Sequence, residues 1–228
     1  MHKPFLVIVL GLFLLVPGLA GASIVLQLSE QQMSLKAEQI VRGRVVKKES
    51  RWETKQKRIY TYITISVLDR MKGSKAQEVT IRQLGGSARG YGMYVPGTAK
   101  FRLGEEVVLF LEKANTVKTK NLPTYYHVMG MSYGKFSVIQ HPKTKLRYMI
   151  RDVKGLSLAK WNAKGKFQYA HAHKKNQPLL LTHFTQRVHY HLLRKPVPKT
   201  IQIPVLKLHK SHTKLTPVKK TLSPTLKK

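Results

Sequence analysis

Three histidine pairs, His171-x-His173, His189-x-His191 and His209-x-x-His212, come nearest in type and spacing to metal chemistry, the kind that imidazoles offer copper, nickel or zinc. Two histidines at i and i+2 align their rings on a strand but point about 200° apart on a helix, so the pair at 189 and 191 chelates only if that segment is extended. No acid stands near them in the sequence to orient an imidazole from behind. No metal ligands are therefore expected, and the histidines read as solvated or pH-responsive.

Carboxylate chemistry is as poorly provided. The chain has two aspartates, Asp69 and Asp152, and eight glutamates, of which Glu49, Glu53, Glu105 and Glu106 fall in stretches that read as turns or charged loops. Gly-x-Ser-x-Gly, His-Glu-x-x-His and Gly-Lys-Ser/Thr are all absent. Gly85-Gly86-Ser87-Ala88-Arg89-Gly90-Tyr91-Gly92 has the glycines of a phosphate loop, but it lacks the lysine and precedes no helical pattern. With no paired acid and base, no catalytic residue and no cofactor are expected, and the chain reads as a non-enzyme. The same glycine-rich segment presents Arg89, Tyr91, Met93 and Tyr94, and a loop held on a rigid frame is a place for protein recognition.

Charge supplies a second class of binding. The chain carries 42 Lys and Arg against 10 Asp and Glu, a formal net charge of +32. All ten acids lie between Glu30 and Asp152, whereas residues 153–228 hold 17 Lys and Arg, seven of the ten histidines and no acid. Anionic envelope polymers such as lipopolysaccharide, anionic lipid or extracellular nucleic acid are the matching partners, and a bias shared by all the host's exported proteins, or adaptation to an acidic surrounding, is the alternative source of such a charge. The candidate contacts are Lys195, Lys199, Lys207, Lys210, Lys214, Lys219 and Lys220, in a segment of 34 residues (195–228) with five prolines and nine lysines that cannot build a core and reads as a disordered tail. Trp52, Lys57, Arg58, Tyr60 and Tyr62, with Arg42 and Arg44 beside them, interleave aromatics and bases as a nucleic-acid surface does. β-Propensity alone also selects Tyr and Thr on a strand, so ordinary barrel surface is the simpler reading.

The elements that must position these residues are mostly strands. Ser29-Glu30-Gln31-Gln32 has the form of a capping box, which predicts a short helix from Glu30 to about Glu38. Residues 40–46 read as a strand, with Gly43 at a bulge or a close backbone approach, followed by a charged loop from Lys47 to Lys57. In residues 59–67, Ile59, Ile63, Ile65 and Val67 alternate with Tyr60, Tyr62, Thr64 and Ser66, a strand with one face on a core. Met71 to Ser74 supply a turn, 78–83 a strand, and 85–97 a loop; Glu106 to Leu111 is a near-continuous apolar strand expected to be buried on both faces. Residues 125–131, 136–139 and 146–150 read as a meander. Leu181, Phe184, Val188 and Leu192 form a helical stripe within 179–193. The expected fold is mainly β, a small antiparallel barrel over 23–155 with one or two flanking helices, a helical extension over 156–194 and the tail from 195.

His2 and Lys3, the apolar run from Phe5 to Val16, and Ala20-Gly21-Ala22 have the order of a secretory signal, predicting cleavage before Ser23 and no membrane span thereafter. The chain has no cysteine, which excludes disulfides, a cysteine nucleophile and a lipoprotein anchor. An exported chain of this size without disulfides points to a bacterial protein, periplasmic or released.

Three runs carry a family resemblance: residues 38–46 (EQIVRGRVV), residues 58–67 (RIYTYITISV) and Met71-Lys72-Gly73. Together they resemble the netrin-like OB-fold module of tissue inhibitors of metalloproteinases, where one strand leads into a long second strand that closes at a Lys-Gly turn. With Arg82 to Gly86, Val95-Pro96-Gly97 and Gly104 to Leu111, the chain is also similar, over about residues 29–155, to exported bacterial proteins of no assigned activity. The resemblance implies an OB-like barrel, and a protein partner of the metalloprotease class. The animal inhibitors block the protease zinc through the amino group and carbonyl of an N-terminal cysteine. Here Ser23, with its free α-amine, would stand at that position, and it joins Arg89, Tyr91, Met93 and Tyr94 as a candidate protein-binding residue.

Overall fold

The computed structural model describes residues 23–114, 124–162, 164–171 and 177–201; the signal-like segment 1–22 and tail residues 202–228 lie outside the described residues. It is mainly β, with two α-helices among the described residues.

Five strands form a partly closed ring: β2 (Gln39–Glu53), β3 (Arg58–Lys72), β4 (Glu78–Leu84), β7 (Glu106–Lys113) and β8 (Tyr125–Val128). β2 pairs antiparallel with β3 and β7, β3 antiparallel with β4, and β8 closes the ring by pairing parallel with β4 and antiparallel with β7. The expectation of a purely antiparallel barrel is thus corrected at the β4–β8 pair. The chain passes through β7 between β4 and β8, far more than the dozen or so residues that a parallel pairing needs.

The interior is filled by the alternating residues of these strands: Val41, Val45, Ile63, Ile65, Val79, Ile81, Val107, Leu109, Leu111 and Val128. β2 and β3 run 15 residues each and bend round this core through register shifts at Ile40/Val41, Arg42/Gly43 and Val45/Lys47. Gly43 is the required small residue, since a Cβ there would stand 2.4 Å from Ile65 Cγ2 and 2.5 Å from the Ser66 carbonyl oxygen. Gly43→Ala is expected to cost about 2 kcal/mol through overpacking, read as a lower denaturant midpoint; an unchanged midpoint would mean that the bulge absorbs the methyl.

β7 is buried on both faces, as its unbroken apolar run predicts: Val107 to Leu111 are all fully buried. Its odd-numbered side chains face the ring, and Val108 and Phe110 face a second core. That core lies under β9 (Lys135–Gln140) and β10 (Arg147–Arg151), which extend the sheet beyond β7. Helix α1 (Glu30–Lys36) and helix α2 (Leu181–Leu192) complete it. The capping box of α1 is present: Gln32 N donates to Ser29 Oγ and Ser29 N donates to Gln32 Oε1. On α2 the predicted stripe is buried at Leu181, Phe184 and Val188, with Leu192 packed against the edge. The predicted meander is corrected: β9 and β10 pair, but β8 pairs with β4 and β7 rather than with β9, so β9 and β10 stand outside the ring.

A separate sheet joins β1 (Ser23–Leu26), β11 (Leu156–Trp161) and β12 (Phe167–His171). β1 runs parallel to β11, so the start of the described chain and residues after 155 share one sheet, with Val25, Leu156 and Leu158 in the second core.

One expected loop is a strand, and one turn is displaced. The charged stretch from Lys47 is the outer half of β2, paired with β3 through Glu53↔Arg58, and only residues 54–57 turn. Its polarity on both faces hides a strand because this arm stands beyond the core. The expected turn at Met71 begins two residues late, since β3 continues to Lys72 against Ile40.

Candidate functional site

The glycine-rich segment is built as a hairpin rather than an open loop, a second correction of the same kind. β5 (Gly86–Ala88) and β6 (Tyr91–Met93) pair antiparallel around Arg89 and Gly90, whose φ values of 53° and 76° are those of a tight two-residue turn. The base is fixed to the ring. Gly85 N donates to the Ile59 carbonyl (2.8 Å), Thr61 Oγ1 donates to the Gly85 carbonyl (2.6 Å), and Ser50 and Thr61 share a hydrogen bond of 2.9 Å. Gly86, at φ 127°, leaves no room for a Cβ, which would lie 2.3 Å from Ser50 Oγ and 2.4 Å from Thr61 Oγ1.

On this rooted hairpin Arg89 occupies the tip, Tyr91 and Tyr94 are 69% and 77% exposed, and Met93 is half-buried. Trp52 of β2 lies against Tyr91, with ring centroids 6.3 Å apart. The chain then returns through Val95-Pro96-Gly97. Ser23 Oγ donates to the Pro96 carbonyl (2.7 Å), and a Cβ on Gly97 would stand 3.1 Å from Ser23 Cβ. Ser23 and the glycine-rich segment, 73 residues apart at this hydrogen bond, therefore meet.

The aromatic and basic residues of the barrel surface are engaged with one another. Arg82 lies 3.6 Å from the Tyr60 ring centroid, and Tyr62 and Tyr125 meet edge-on at 5.1 Å. The Tyr62 hydroxyl donates to Glu53 and accepts from Arg82; burial, then the Glu53 contact, push its phenol above the usual tyrosine range. Arg42 pairs with Glu106 at 3.0 Å and Arg44 donates to the Gly104 carbonyl. Hydrogen bonds from Arg51 and Lys47 hold the exposed Glu49 carboxyl at about 2.

The acids read as loop charges are thus mostly anchors. Glu49 and Glu53 lie in β2 and Glu106 in β7, while Glu105 accepts from the buried Lys135 at 2.7 Å and from Ser137 at 2.6 Å. The histidine reading is corrected in one respect. His189 and His191 do lie on a helix, the geometry that separates them, but an acid is present: Glu30 Oε1 is 3.2 Å from His191 Nε2. It comes from α1, far from His191 in the chain. Among the described residues no group of three His, Asp or Glu could hold a metal ion.

Lys195 and Lys199 are exposed, at the end of α2 and in a 3₁₀ turn (Lys199–Ile201); Lys207, Lys210, Lys214, Lys219 and Lys220 lie outside the described residues. No protein-family model, curated protein or solved structure matches this chain. Among the described residues no helix is long and apolar enough to cross a membrane.

Sequence reasoning missed two features. One is the Glu30–Arg187–His191 cluster joining α1 to α2, signalled only by a carboxylate inside a capping box. The other is the row of exposed apolar side chains on β1, β11 and β12, visible only once those strands are paired.

Proposed function

We propose that this chain is an exported, non-catalytic binding module of OB-like, netrin-like architecture that engages a secreted or periplasmic metalloprotease through the Ser23 end of β1 and the glycine-rich hairpin. Support for the architecture comes from the ring's connectivity. Its first three strands pair in sequence, its fifth inserts between the third and fourth, and the third–fifth pair is parallel, the arrangement of a five-stranded OB barrel.

The observation that carries the functional reading is the 2.7 Å contact between Ser23 and Pro96. It seats the start of β1 beside the segment that bears Tyr91 and Tyr94, so a short extended chain end and an aromatic hairpin offer one composite surface on a rigid ring. Exposed tyrosines held at low conformational cost are typical anchors of protein interfaces.

The test uses the chain with Ser23 as its first residue. It is expected to capture a zinc metalloprotease from the exported fraction of its host and to inhibit it. Tyr91→Ser with Tyr94→Ser should weaken inhibition about tenfold or more, since each such anchor contributes over 1 kcal/mol. One extra residue before Ser23 should weaken it further if the α-amine approaches the zinc. Absence of any metalloprotease among captured proteins, together with absence of inhibition, would reject the reading.

A further inference from the structure

We propose that the outer face of the β1–β11–β12 sheet docks on an anionic lipid surface, an interaction beyond the partner binding proposed above. The register places Leu26, Ala159 and Tyr169 in one cross-strand row, Trp161 opposite Phe167 in the next, and Ile24 beside Ser157. Ile24, Leu26, Trp161, Phe167 and Tyr169 therefore stand on one face, and they are 62%, 42%, 56%, 50% and 68% exposed. The opposite face buries Val25, Leu156 and Leu158 in the second core, which fixes the sheet's orientation. Trp161 and Phe167 lie with ring centroids 3.7 Å apart at the end of the hairpin, next to its turn.

Charge selects the occupant. Lys164 and Lys166 are exposed at the turn of that hairpin, Lys160 is exposed on the other side of β11, and neither residues 23–29 nor residues 153–171 contain an acid. A second copy of this chain would bring like charges together. A nucleic acid would use the planar aromatics and the lysines, but it has no use for Ile24 and Leu26. A bilayer interface accommodates all three kinds of group: Trp and Tyr at headgroup level, aliphatic side chains at the acyl boundary, and lysines that reach up to the phosphates.

The two tryptophans make a direct test, because Trp52→Phe leaves Trp161 as the only indole. In that variant, made with Ser23 as its first residue and ending at Lys228, Trp161 emission is expected to shift to the blue with vesicles of equal parts phosphatidylglycerol and phosphatidylcholine, and to stay unchanged with phosphatidylcholine alone. Trp161→Ser with Phe167→Ser, checked for native circular dichroism, should co-sediment with the anionic vesicles about tenfold less well, because two side chains lose their apolar burial. Sedimentation without a Trp161 shift would assign lipid binding to the C-terminal lysines and overturn the proposal. So would a Trp161 response to a single-stranded oligonucleotide but not to vesicles, a blue shift on concentrating the protein without lipid, or no binding to the vesicles.

Discussion

Replacing Glu30 with alanine is expected to destabilise the protein by roughly 3–5 kcal/mol, because it leaves a guanidinium buried without its counter-charge. Arg187 is only 5% exposed, and it meets Glu30 through two parallel hydrogen bonds, Nε to Oε1 at 2.9 Å and Nη2 to Oε2 at 2.8 Å. That fork geometry is the strongest form of the pair. Glu30 also faces His191 and sits in the first turn of α1, where a negative charge is favoured. The Arg187 Nη1 contact to the Ile201 carbonyl, at 3.4 Å, is too long to replace the carboxylate.

Chemical denaturation followed by circular dichroism measures the loss, which should appear thermally as a fall of about 10 °C for a protein of this size. The converse variant, Arg187→Met, should cost less, since Glu30 keeps partial access to water at 22% exposure and methionine fills the space. Combining Glu30→Gln with Arg187→Met should recover part of the loss. A Glu30→Ala midpoint within about 0.5 kcal/mol of the parent would mean that Arg187 reaches solvent without its partner, and that the cluster does not lock α1 to α2.

Phe184→Ala should remove a comparable amount, about 3–5 kcal/mol, by a different route. Phe184 is fully buried and touches two other rings, Phe110 edge-on at 5.9 Å and Phe136 at 5.4 Å. Truncation leaves a cavity between β7, β9 and α2 that a β-sheet on one side and a helix pinned by Arg187 on the other cannot readily collapse. Phe184→Leu, which fills most of that space, should cost about 1–1.5 kcal/mol. Hydrogen exchange locates the effect. The ring core is filled by other side chains, so the amides of α2 and β10 should lose protection before those of Ile63 and Ile65 in β3. Simultaneous loss across both regions would show that the two cores unfold as one unit.

Both variants act on contacts between elements far apart in the chain, and this separation marks what the amino-acid order reveals. The alternation in β3, the both-face burial of β7, the capping box of α1 and the apolar stripe of α2 are all local periodicities, so each was legible before the fold was known. The outer half of β2 was not legible. Its residues are polar on both faces because the arm extends past the core, and only the partner strand shows that it is extended. The hairpin of β5 and β6 was hidden for a related reason: glycine marks permissive backbone without saying which conformation the neighbours impose.

Candidate binding residues show the same division. Arg89, Tyr91, Met93 and Tyr94 were identifiable because they cluster in one segment. Their juxtaposition with Ser23 depends on β1 pairing with β11, which carries the start of β1 to Pro96 and Gly97. Glu30 looked like a helix-cap residue, and nothing near it in sequence announces Arg187, 157 positions later.

By itself, then, the sequence determined a cysteine-free, strongly basic chain, the two-faced character of its main strands and the positions of its helices, because each follows from residue type or from a short repeat of burial. Only the tertiary structure decided which five strands close into a ring, which acid neutralises Arg187, and which apolar side chains stay outside both cores. Those outcomes depend on how distant segments compete for a limited interior, and no local pattern encodes that competition.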